Sequence, residues 1–289
     1  MSGGVGYMGF SRPDLDREYS PSSLVPSLSF YLHEYAELSA AARDEVKALP
    51  DLRYGSPPEA RLDLFPVDGG NSALQVFVHG GYWQELTKDE SAFAAPDFVA
   101  AGVAFAALDY GLAPSYSLDE IVAMVRDAVA WLHTNAADFG IDPGRIHLSG
   151  SSAGAHLVAM ALIGDDARRI AGATLLSGVY DLEPLRHTYV NDALGLDADA
   201  ALRNSPIYHL PERLPPVVIA RGEVETGEFV RQHETMTALL RQRTAVTEIT
   251  CPRRNHFDIP YDLGNPHSAL GRAVLDQIRT ADAVTTGKE

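Results

Sequence analysis

Short apolar runs alternate along this chain with longer segments in which apolar residues recur every three or four positions. The short runs predict strands at residues 61–66, 74–78, 103–108, 145–148, 171–176, 216–221 and 246–251. The longer segments predict helices at residues 91–101, 117–136, 153–163 and 229–241. Because strands and helices alternate, the pattern predicts an α/β fold with a mostly parallel central sheet and helices on both of its faces.

Two regions do not follow this pattern. Residues 1–60 are rich in Ser, Pro and Tyr, with one predicted helix near residues 29–49, and residues 183–213 contain several prolines and no clear strand. Such excursions usually complete the crevice above an open α/β sheet. We therefore predict a single domain over residues 1–289, in which 1–60 and 183–213 together form a small lid.

A serine flanked by glycines lies between the fourth predicted strand and the helix that follows it, in the pentapeptide Gly-Ser-Ser-Ala-Gly at 150–154. A sharp turn from strand to helix holds the central serine in a strained conformation with its hydroxyl exposed above the sheet. Only very small residues fit two positions to either side. The sequence therefore predicts Ser152 as a nucleophile, with Gly150 and Gly154 providing the space.

A glycine-containing loop, His-Gly-Gly-Tyr-Trp at 79–83, follows the second predicted strand. Acyl transfer through a tetrahedral intermediate needs N–H donors aimed at the developing oxyanion. We predict that these donors are the main-chain N–H groups of Gly81, Tyr82 and Ala153. His79 is interpreted as a scaffold residue that holds the loop in place.

A serine nucleophile needs a base, and the base needs a carboxylate that orients it. In this type of fold their order along the chain is serine, acid, histidine. The predicted strand at 216–221 leads into a Glu-rich segment in which Glu225 is the preferred acid, with Glu223 and Glu228 as competitors. An acid at the carboxyl end of a strand can face the crevice above the sheet.

The predicted base is His256, which follows the last predicted strand and a predicted turn at 252–254. A histidine on this loop can reach back to the serine. His267 is the alternative, because it also follows the acid along the chain and, unlike His233, lies outside the predicted helices.

Composition and charge limit the alternatives. The formal net charge of −16 opposes binding to nucleic acid or to anionic membranes, so neither is a predicted partner. No apolar stretch reaches the roughly 18 residues that span a bilayer, and the first residues lack the basic and apolar regions of a secretory signal. We therefore expect a cytoplasmic protein that acts on a small molecule; the oligomeric state is left open, with a homodimer as one candidate.

The single cysteine excludes an internal disulfide, and Cys251 is interpreted as a small core residue. The sequence contains neither a Cys/His cluster nor a His-Glu-x-x-His motif with the spacing of metal ligands. We therefore expect neither a metal nor a cofactor.

Taken together, these motifs resemble those of the serine-dependent kynurenine formamidases (arylformamidases) of the α/β-hydrolase superfamily. The resemblance extends over roughly residues 15–275 and includes the loop at 79–83, the segment Gly-Ser-Ser-Ala-Gly-Ala-His-Leu at 150–157, Glu228, Phe229, Gln232, Asn-His-Phe at 255–257 and Tyr-Ser-Pro-Ser at 19–22. Its most discriminating point is Tyr82-Trp83, where esterases of the hormone-sensitive-lipase type have a third glycine. Glu225 departs from the Asp of the animal members.

The resemblance implies an α/β-hydrolase fold, with Ser152 as nucleophile, Glu225 as acid and His256 as base, and with the oxyanion hole described above. It also implies a serine hydrolase that cleaves a small amide or ester through an acyl-enzyme, with an N-formyl arylamine such as N-formylkynurenine as the expected substrate. Tyr82, Trp83 and Ser151 are expected to contact the substrate, and packing under the loop is the alternative role for Trp83.

Three other functions share these motifs. A short-chain carboxylesterase would use the same catalytic groups, as would an amidase acting on another small amide, carbamate or imide of a degradation pathway. The third, a catalytically inactive binding module, is disfavoured because such modules typically lose the serine or the histidine, and both are present here.

Overall fold

A computed structural model describes residues 7–286 of the chain. Residues 1–6 of the predicted N-terminal lid segment and residues 287–289 of the predicted domain lie outside the described residues. No helix within the described range is both long and apolar enough to cross a membrane.

The described residues form one sheet of eight strands. The strands are β1 (Leu49–Arg53), β2 (Arg61–Phe65), β3 (Ser72–Val78), β4 (Ala104–Leu108), β5 (Ile141–Ser151), β6 (Gly172–Leu176), β7 (Val217–Val224) and β8 (Val246–Asn255). Their order in the sheet is β1-β2-β4-β3-β5-β6-β7-β8. β1 and β2, and β2 and β4, pair antiparallel, whereas all other neighbours pair parallel. The predicted mostly parallel α/β-hydrolase sheet is confirmed, and β1 is an additional strand that the apolar pattern did not predict.

Some of the helices connect these strands, and others lie within the two excursions, residues 1–60 and 183–213. They are α1 (Arg12–Glu18), α2 (Leu28–Glu45), α3 (Ala95–Ala100), α4 (Leu118–Asn135), α5 (Ala153–Ala161), α6 (Asn191–Leu194), α7 (Ala198–Arg203), α8 (Gly227–Leu240) and α9 (Ala269–Thr286). Helices α4, α5 and α8 lie within two residues of their predicted bounds. The sequence pattern predicted neither α9 nor the short helices α1, α6 and α7.

The core is built on both faces of the sheet. Leu74, Val76 and Val78 of β3 belong to an apolar cluster that includes residues of α4, α5 and α8. Ala73 and Phe77 of the same strand belong to a second cluster with residues of α3 and α9. Because neighbouring side chains of a strand point to opposite faces, a strand such as β3, which is buried along its whole length, must be covered on both sides.

The carboxyl end of β8 differs from the prediction. The predicted turn at 252–254 is wrong, since β8 continues to Asn255 with an irregular register against β7 and with Arg253 at a φ of 62°. Pro252 is compatible with this strand because β8 is at the edge of the sheet, where an edge-strand proline can leave its missing N–H on the unpaired side.

Burial of a histidine in β5 leads to a pH-dependent stability. His147 is 1% exposed, and burial lowers its pKa to about 4. An unfolded histidine has a pKa of about 6.5, so between these values the unfolded chain binds a proton that the folded chain does not. We expect this group to reduce the free energy of unfolding by about 1.4 kcal/mol for each pH unit below 6.5, down to about pH 4.

Urea unfolding at several pH values between 6.5 and 4.5 tests this expectation. The variant His147→Leu should lose stability with falling pH less steeply than the parent. His33→Leu is the matched control, because the His33 side chain is 73% exposed. Equal pH slopes for the parent and His147→Leu would contradict the assignment.

Candidate active site

The serine of the pentapeptide occupies the turn between β5 and α5. Ser152 has a φ of 56° and a ψ of −116°, a conformation that is strained for any residue with a side chain. A Cβ atom on Gly154 would lie 2.0 Å from the carbonyl oxygen of Val78, and one on Gly150 would lie 2.3 Å from the carbonyl oxygen of Gly154. The predicted strained turn and the need for small residues beside it are therefore confirmed.

Two main-chain hydrogen bonds hold this turn against the sheet and the helix. The Ser152 N–H donates to the carbonyl of Leu176 at the end of β6 (2.8 Å), and the His156 N–H donates to the Ser152 carbonyl (3.2 Å). The strain is thus maintained by the neighbouring strand and by the first turn of α5.

The loop after β3 folds tightly beside the serine. Gly81 has a φ of 92°, and a Cβ there would lie 2.3 Å from the carbonyl oxygen of Glu85. His79 is 1% exposed, stacks on the ring of Tyr110 with 4.1 Å between ring centroids, and places its Nδ1 2.9 Å from the Gly80 carbonyl oxygen. The Tyr110 hydroxyl donates to the His79 carbonyl (2.8 Å). These contacts support the scaffold role interpreted for His79.

Three main-chain N–H groups, two in the glycine loop and one at the start of α5, are the candidate donors. Among the described residues, no main-chain hydrogen bond uses the N–H of Gly81 or Tyr82. Ala153 is the first residue of α5, where N–H groups have no partner within the helix and the helix dipole is positive. The predicted donors therefore have the capacity to bind an anionic oxygen.

A histidine and a glutamate pair at the ends of the two last strands. Glu225 follows β7 directly, His256 follows β8, and the His256 Nδ1 lies 3.0 Å from the Glu225 Oε2. The Ser177 hydroxyl donates to the other carboxylate oxygen of Glu225 (2.5 Å), and the Glu225 side chain is 0% exposed. Both carboxylate oxygens are thus engaged, and the imidazole is held with its Nε2 directed away from the carboxylate.

The competing residues have other partners. Glu223 accepts a hydrogen bond from the main-chain N–H of Arg253 (2.7 Å). Glu228 accepts one from the Tyr19 hydroxyl (2.8 Å) and forms an ion pair with a neighbouring arginine. His267 is exposed to solvent. Of the three carboxylates considered, Glu225 is therefore the one that contacts the imidazole of His256 in the described structure.

Ser152 and His256 both line one cavity of about 280 Å³. No direct hydrogen bond joins the two side chains within the described range, and contacts of this kind often tighten only when substrate binds. Tyr35, Phe77 and Phe93 line the same cavity, and their rings contact one another with centroid distances of 5.4 and 5.5 Å. The cavity thus combines polar groups at the serine with an aromatic wall.

Both excursions contribute to this cavity. Ser22 from the N-terminal segment and Tyr189 from residues 183–213 line it. The Tyr82 hydroxyl donates to the main-chain carbonyl of Tyr19 (2.7 Å), and the Tyr189 hydroxyl lies 3.4 Å from the same oxygen. The N-terminal segment, the glycine loop and residues 183–213 therefore meet at Tyr19.

Of the residues expected to contact substrate, Tyr82 and Ser151 line the cavity and Trp83 does not. Trp83 is 0% exposed and packs edge-on against the ring of His156 with 4.9 Å between centroids. Burial lowers the pKa of His156 to about 4, so this histidine is neutral at neutral pH. The assignment of Trp83 as a substrate-binding residue is corrected: it supports the glycine loop from below as part of the core.

No group of three or more His, Cys, Asp or Glu side chains is arranged to hold a metal ion in the part of the chain that the structure describes. Cys251 is buried, as predicted, and burial raises the pKa of its thiol to about 11. The thiol is therefore protonated at neutral pH and a poor nucleophile.

Sequence reasoning missed Ser177, which positions Glu225. The available signal was only its place immediately after β6, since a serine in that position has no motif of its own. It also missed that Tyr19 joins the N-terminal segment to α8: its hydroxyl donates to Glu228 (2.8 Å) and accepts from the Gln232 amide (3.1 Å). The sequence relates Tyr19, Glu228 and Gln232 only through the resemblance to a family pattern, because the contact between them joins segments more than 200 positions apart.

Comparison with protein-family models matches residues 62–177 to the family described as BD-FAE. The kynurenine formamidase of Danio rerio is 32% identical over 287 residues, covering 93% of this chain and 97% of the relative. The kynurenine formamidase of Salmo salar is 32% identical over 269 residues, covering 86% and 90% respectively.

A solved structure from Silicibacter sp. TM1040, named as a candidate thioesterase, superposes with a TM-score of 0.81 and 30% sequence identity. It covers 91% of this chain, and this chain covers 99% of it. The similarity thus extends over most of both chains.

Proposed function

Because this chain belongs to the kynurenine formamidase family of α/β-hydrolases, we propose that it is a serine hydrolase that cleaves N-formyl arylamines, N-formylkynurenine among them. At a coarser level, it is a hydrolase of small amides or esters. The observation that carries the proposal is the strained Ser152, which lines one cavity with a His256 that is hydrogen-bonded to the fully buried Glu225.

In the proposed acylation half-reaction, the Nε2 of His256 accepts the hydroxyl proton of Ser152 while the Ser152 Oγ attacks the formyl carbon. The carbonyl oxygen becomes an oxyanion, which accepts hydrogen bonds from the N–H groups of Gly81, Tyr82 and Ala153. Glu225 holds the imidazole in the tautomer with the proton on Nδ1 and stabilises the imidazolium that forms.

Collapse of the tetrahedral intermediate breaks the bond between the formyl carbon and nitrogen. The leaving nitrogen takes the proton from Nε2 of His256, so that the arylamine departs neutral and a formyl ester remains on Ser152. Water then attacks this ester with His256 as base again, which releases formate and restores the serine hydroxyl.

The cavity supports an arylamine as the leaving group. The aromatic wall of Tyr35, Phe77 and Phe93 offers apolar contact area to an aryl ring. A formyl group is the smallest acyl group, so little space is needed between Ser152 and the glycine loop. Gly80 lines the cavity, and a Cβ there would lie 3.4 Å from the Ser152 Cβ, which supports a narrow acyl subsite.

A comparison of kcat/KM for N-formylkynurenine, formanilide, acetanilide and p-nitrophenyl acetate tests the proposal. We expect formanilide to exceed acetanilide by roughly 10- to 200-fold, the effect of one additional carbon in a tight pocket. Both anilides share a leaving group, so the ratio reports on the acyl subsite. Faster turnover of p-nitrophenyl acetate than of every formamide would favour a general esterase instead.

A short-chain carboxylesterase is the second candidate. The similar solved structure at 30% identity is named as a candidate thioesterase, and a thioester is cleaved by the same acyl-transfer chemistry as an ester. All proposed catalytic steps would be the same, with an alcohol or thiol leaving in place of the amine. Under this alternative, phenyl acetate should be cleaved much faster than formanilide, and acetyl should be accepted as readily as formyl.

A further inference from the structure

The charged side chains that line the cavity are all negative within the described residues. Glu85 and Glu90 line it, whereas no lysine or arginine does. Its histidines are His79, which is packed on Tyr110, and His256, which is bonded to Glu225.

Lys88 lies between Glu85 and Glu90 in the chain, but its positive charge is already neutralised by carboxylates. The Lys88 ammonium lies 3.2 Å from the Asp51 carboxylate, 3.0 Å from that of Asp63 and 2.8 Å from that of Asp89. Arg43, which packs against the same segment, pairs with Asp63 (3.0 Å). Because Lys88 and Arg43 are both paired with carboxylates, neither is available to bind an anionic ligand in the cavity.

Glu85 is placed to act on the substrate. Its main-chain N–H and that of Gln84 both donate to the carbonyl of Gly81 (3.0 and 2.9 Å), so Glu85 lies at the end of the glycine loop. Its side chain is exposed and forms no ion pair among the described residues. Tyr189 lines the same cavity.

Glu90 adds negative charge but has partners. Its Oε2 accepts hydrogen bonds from the main-chain N–H of Thr87 (3.0 Å) and from the Thr87 hydroxyl (2.8 Å). Its carboxylate thus has a structural function in a helix cap, whereas the Glu85 carboxylate has none in the described contacts. Because both donors are neutral, Glu90 keeps its charge but is held in place, whereas the Glu85 side chain can turn towards a substrate group.

Two like charges brought together in a partly desolvated cavity repel each other more strongly than they do in water. We propose, on the basis of the function proposed above, that this cavity selects aryl formamides with an uncharged or cationic group beside the formamide and rejects anionic ones. Glu85 is the specificity-determining residue. In N-formylkynurenine, the ammonium group then faces Glu85 and the carboxylate points towards solvent.

Three formanilides that differ only in an ortho substituent test this inference: formanilide itself, 2-(aminomethyl)formanilide as the cation and N-formylanthranilate as the anion. We expect kcat/KM for the cation to exceed that for the anion by about tenfold or more at low ionic strength. Salt should reduce the ratio, because screening weakens the interaction of partly exposed charges. Glu85→Gln should bring the ratio towards one by improving turnover of the anion.

The matched control is Glu37→Gln, since Glu37 is an exposed carboxylate that does not line the cavity. It should leave the cation-to-anion ratio as in the parent. The inference would be overturned if the parent cleaved the anionic and cationic formanilides with equal kcat/KM. It would also be overturned if Glu85→Gln left the cation-to-anion ratio of kcat/KM unchanged.

The same three substituents on phenyl acetate separate this inference from the proposed function. If none of the formanilides is cleaved but the esters are, the formamidase proposal fails. The charge ratio among the esters then decides the role of Glu85 independently: a cation preference that Glu85→Gln removes supports it, and equal turnover overturns it.

Discussion

Replacement of Ser152 by alanine is expected to lower kcat by roughly 10⁵- to 10⁶-fold while the protein remains folded. Loss of the nucleophile in a serine hydrolase removes the covalent route and leaves only the residual catalysis of the oxyanion hole and substrate binding. Alanine has no larger volume than serine, and the turn is held by main-chain hydrogen bonds to Leu176 and His156, which the variant keeps. Kinetics with formanilide, together with circular dichroism and thermal unfolding, are the measurements.

Ser151→Ala is the comparison for this experiment. Ser151 is the neighbouring hydroxyl, and it lines the same cavity. It precedes the strained turn as the last residue of β5, so its loss should leave readily measurable turnover. If Ser151→Ala were inactive and Ser152→Ala active, the nucleophile would be the other serine.

His256→Ala should reduce turnover to a similar extent as Ser152→Ala, and the double variant should be no worse than either alone. Residues that act as one catalytic unit are not additive, because removal of one already disables the other. His267→Ala is the matched control, since His267 is exposed and is the other candidate base from the sequence. Full additivity of the two losses would show that Ser152 and His256 act separately.

A smaller but still large effect is expected for Glu225→Gln, with a loss of about 10³- to 10⁴-fold in kcat. A carboxamide is neutral and can donate an N–H to Nδ1 of His256. It would then favour the tautomer with the proton on Nε2, which cannot accept the proton of Ser152. The buried carboxylate would also no longer stabilise the imidazolium.

Glu223→Gln is the matched control for this variant. Glu223 lies two positions away, but its carboxylate is exposed and accepts only a hydrogen bond from the Arg253 main chain among the described contacts. A glutamine oxygen can accept the same bond, so we expect less than about a twofold change. Greater damage from Glu223→Gln than from Glu225→Gln would reassign the acid.

The turn at Ser152 could be predicted because its signals are local. Five consecutive residues between an apolar strand and a helix were enough to indicate the strained conformation, and the glycine spacing follows directly from the carbonyl oxygens that approach Gly150 and Gly154. The same holds for the glycine loop at Gly81, whose left-handed φ of 92° glycine adopts readily. Each motif depends on main-chain conformation within a few residues.

The orientation of Trp83 could not be predicted in the same way. Its sequence position is next to Tyr82, yet one side chain lines the cavity and the other is fully buried against His156. Both residues have positive φ values, 51° and 60°, in a loop without a regular period. In such a loop, sequence spacing does not determine which face a side chain reaches.

From sequence alone, the strand and helix periods determined the α/β architecture, and the motif order predicted Ser152 as the nucleophile and His256 as the base. Both depend on chemistry that acts between near neighbours in the chain. Only the tertiary structure showed that Glu225, and neither Glu223 nor Glu228, contacts His256, that Ser177 holds Glu225 and that the charges lining the cavity are negative. These features depend on side chains from strands and loops far apart in sequence, and their distances are set by how the sheet and the two excursions pack together.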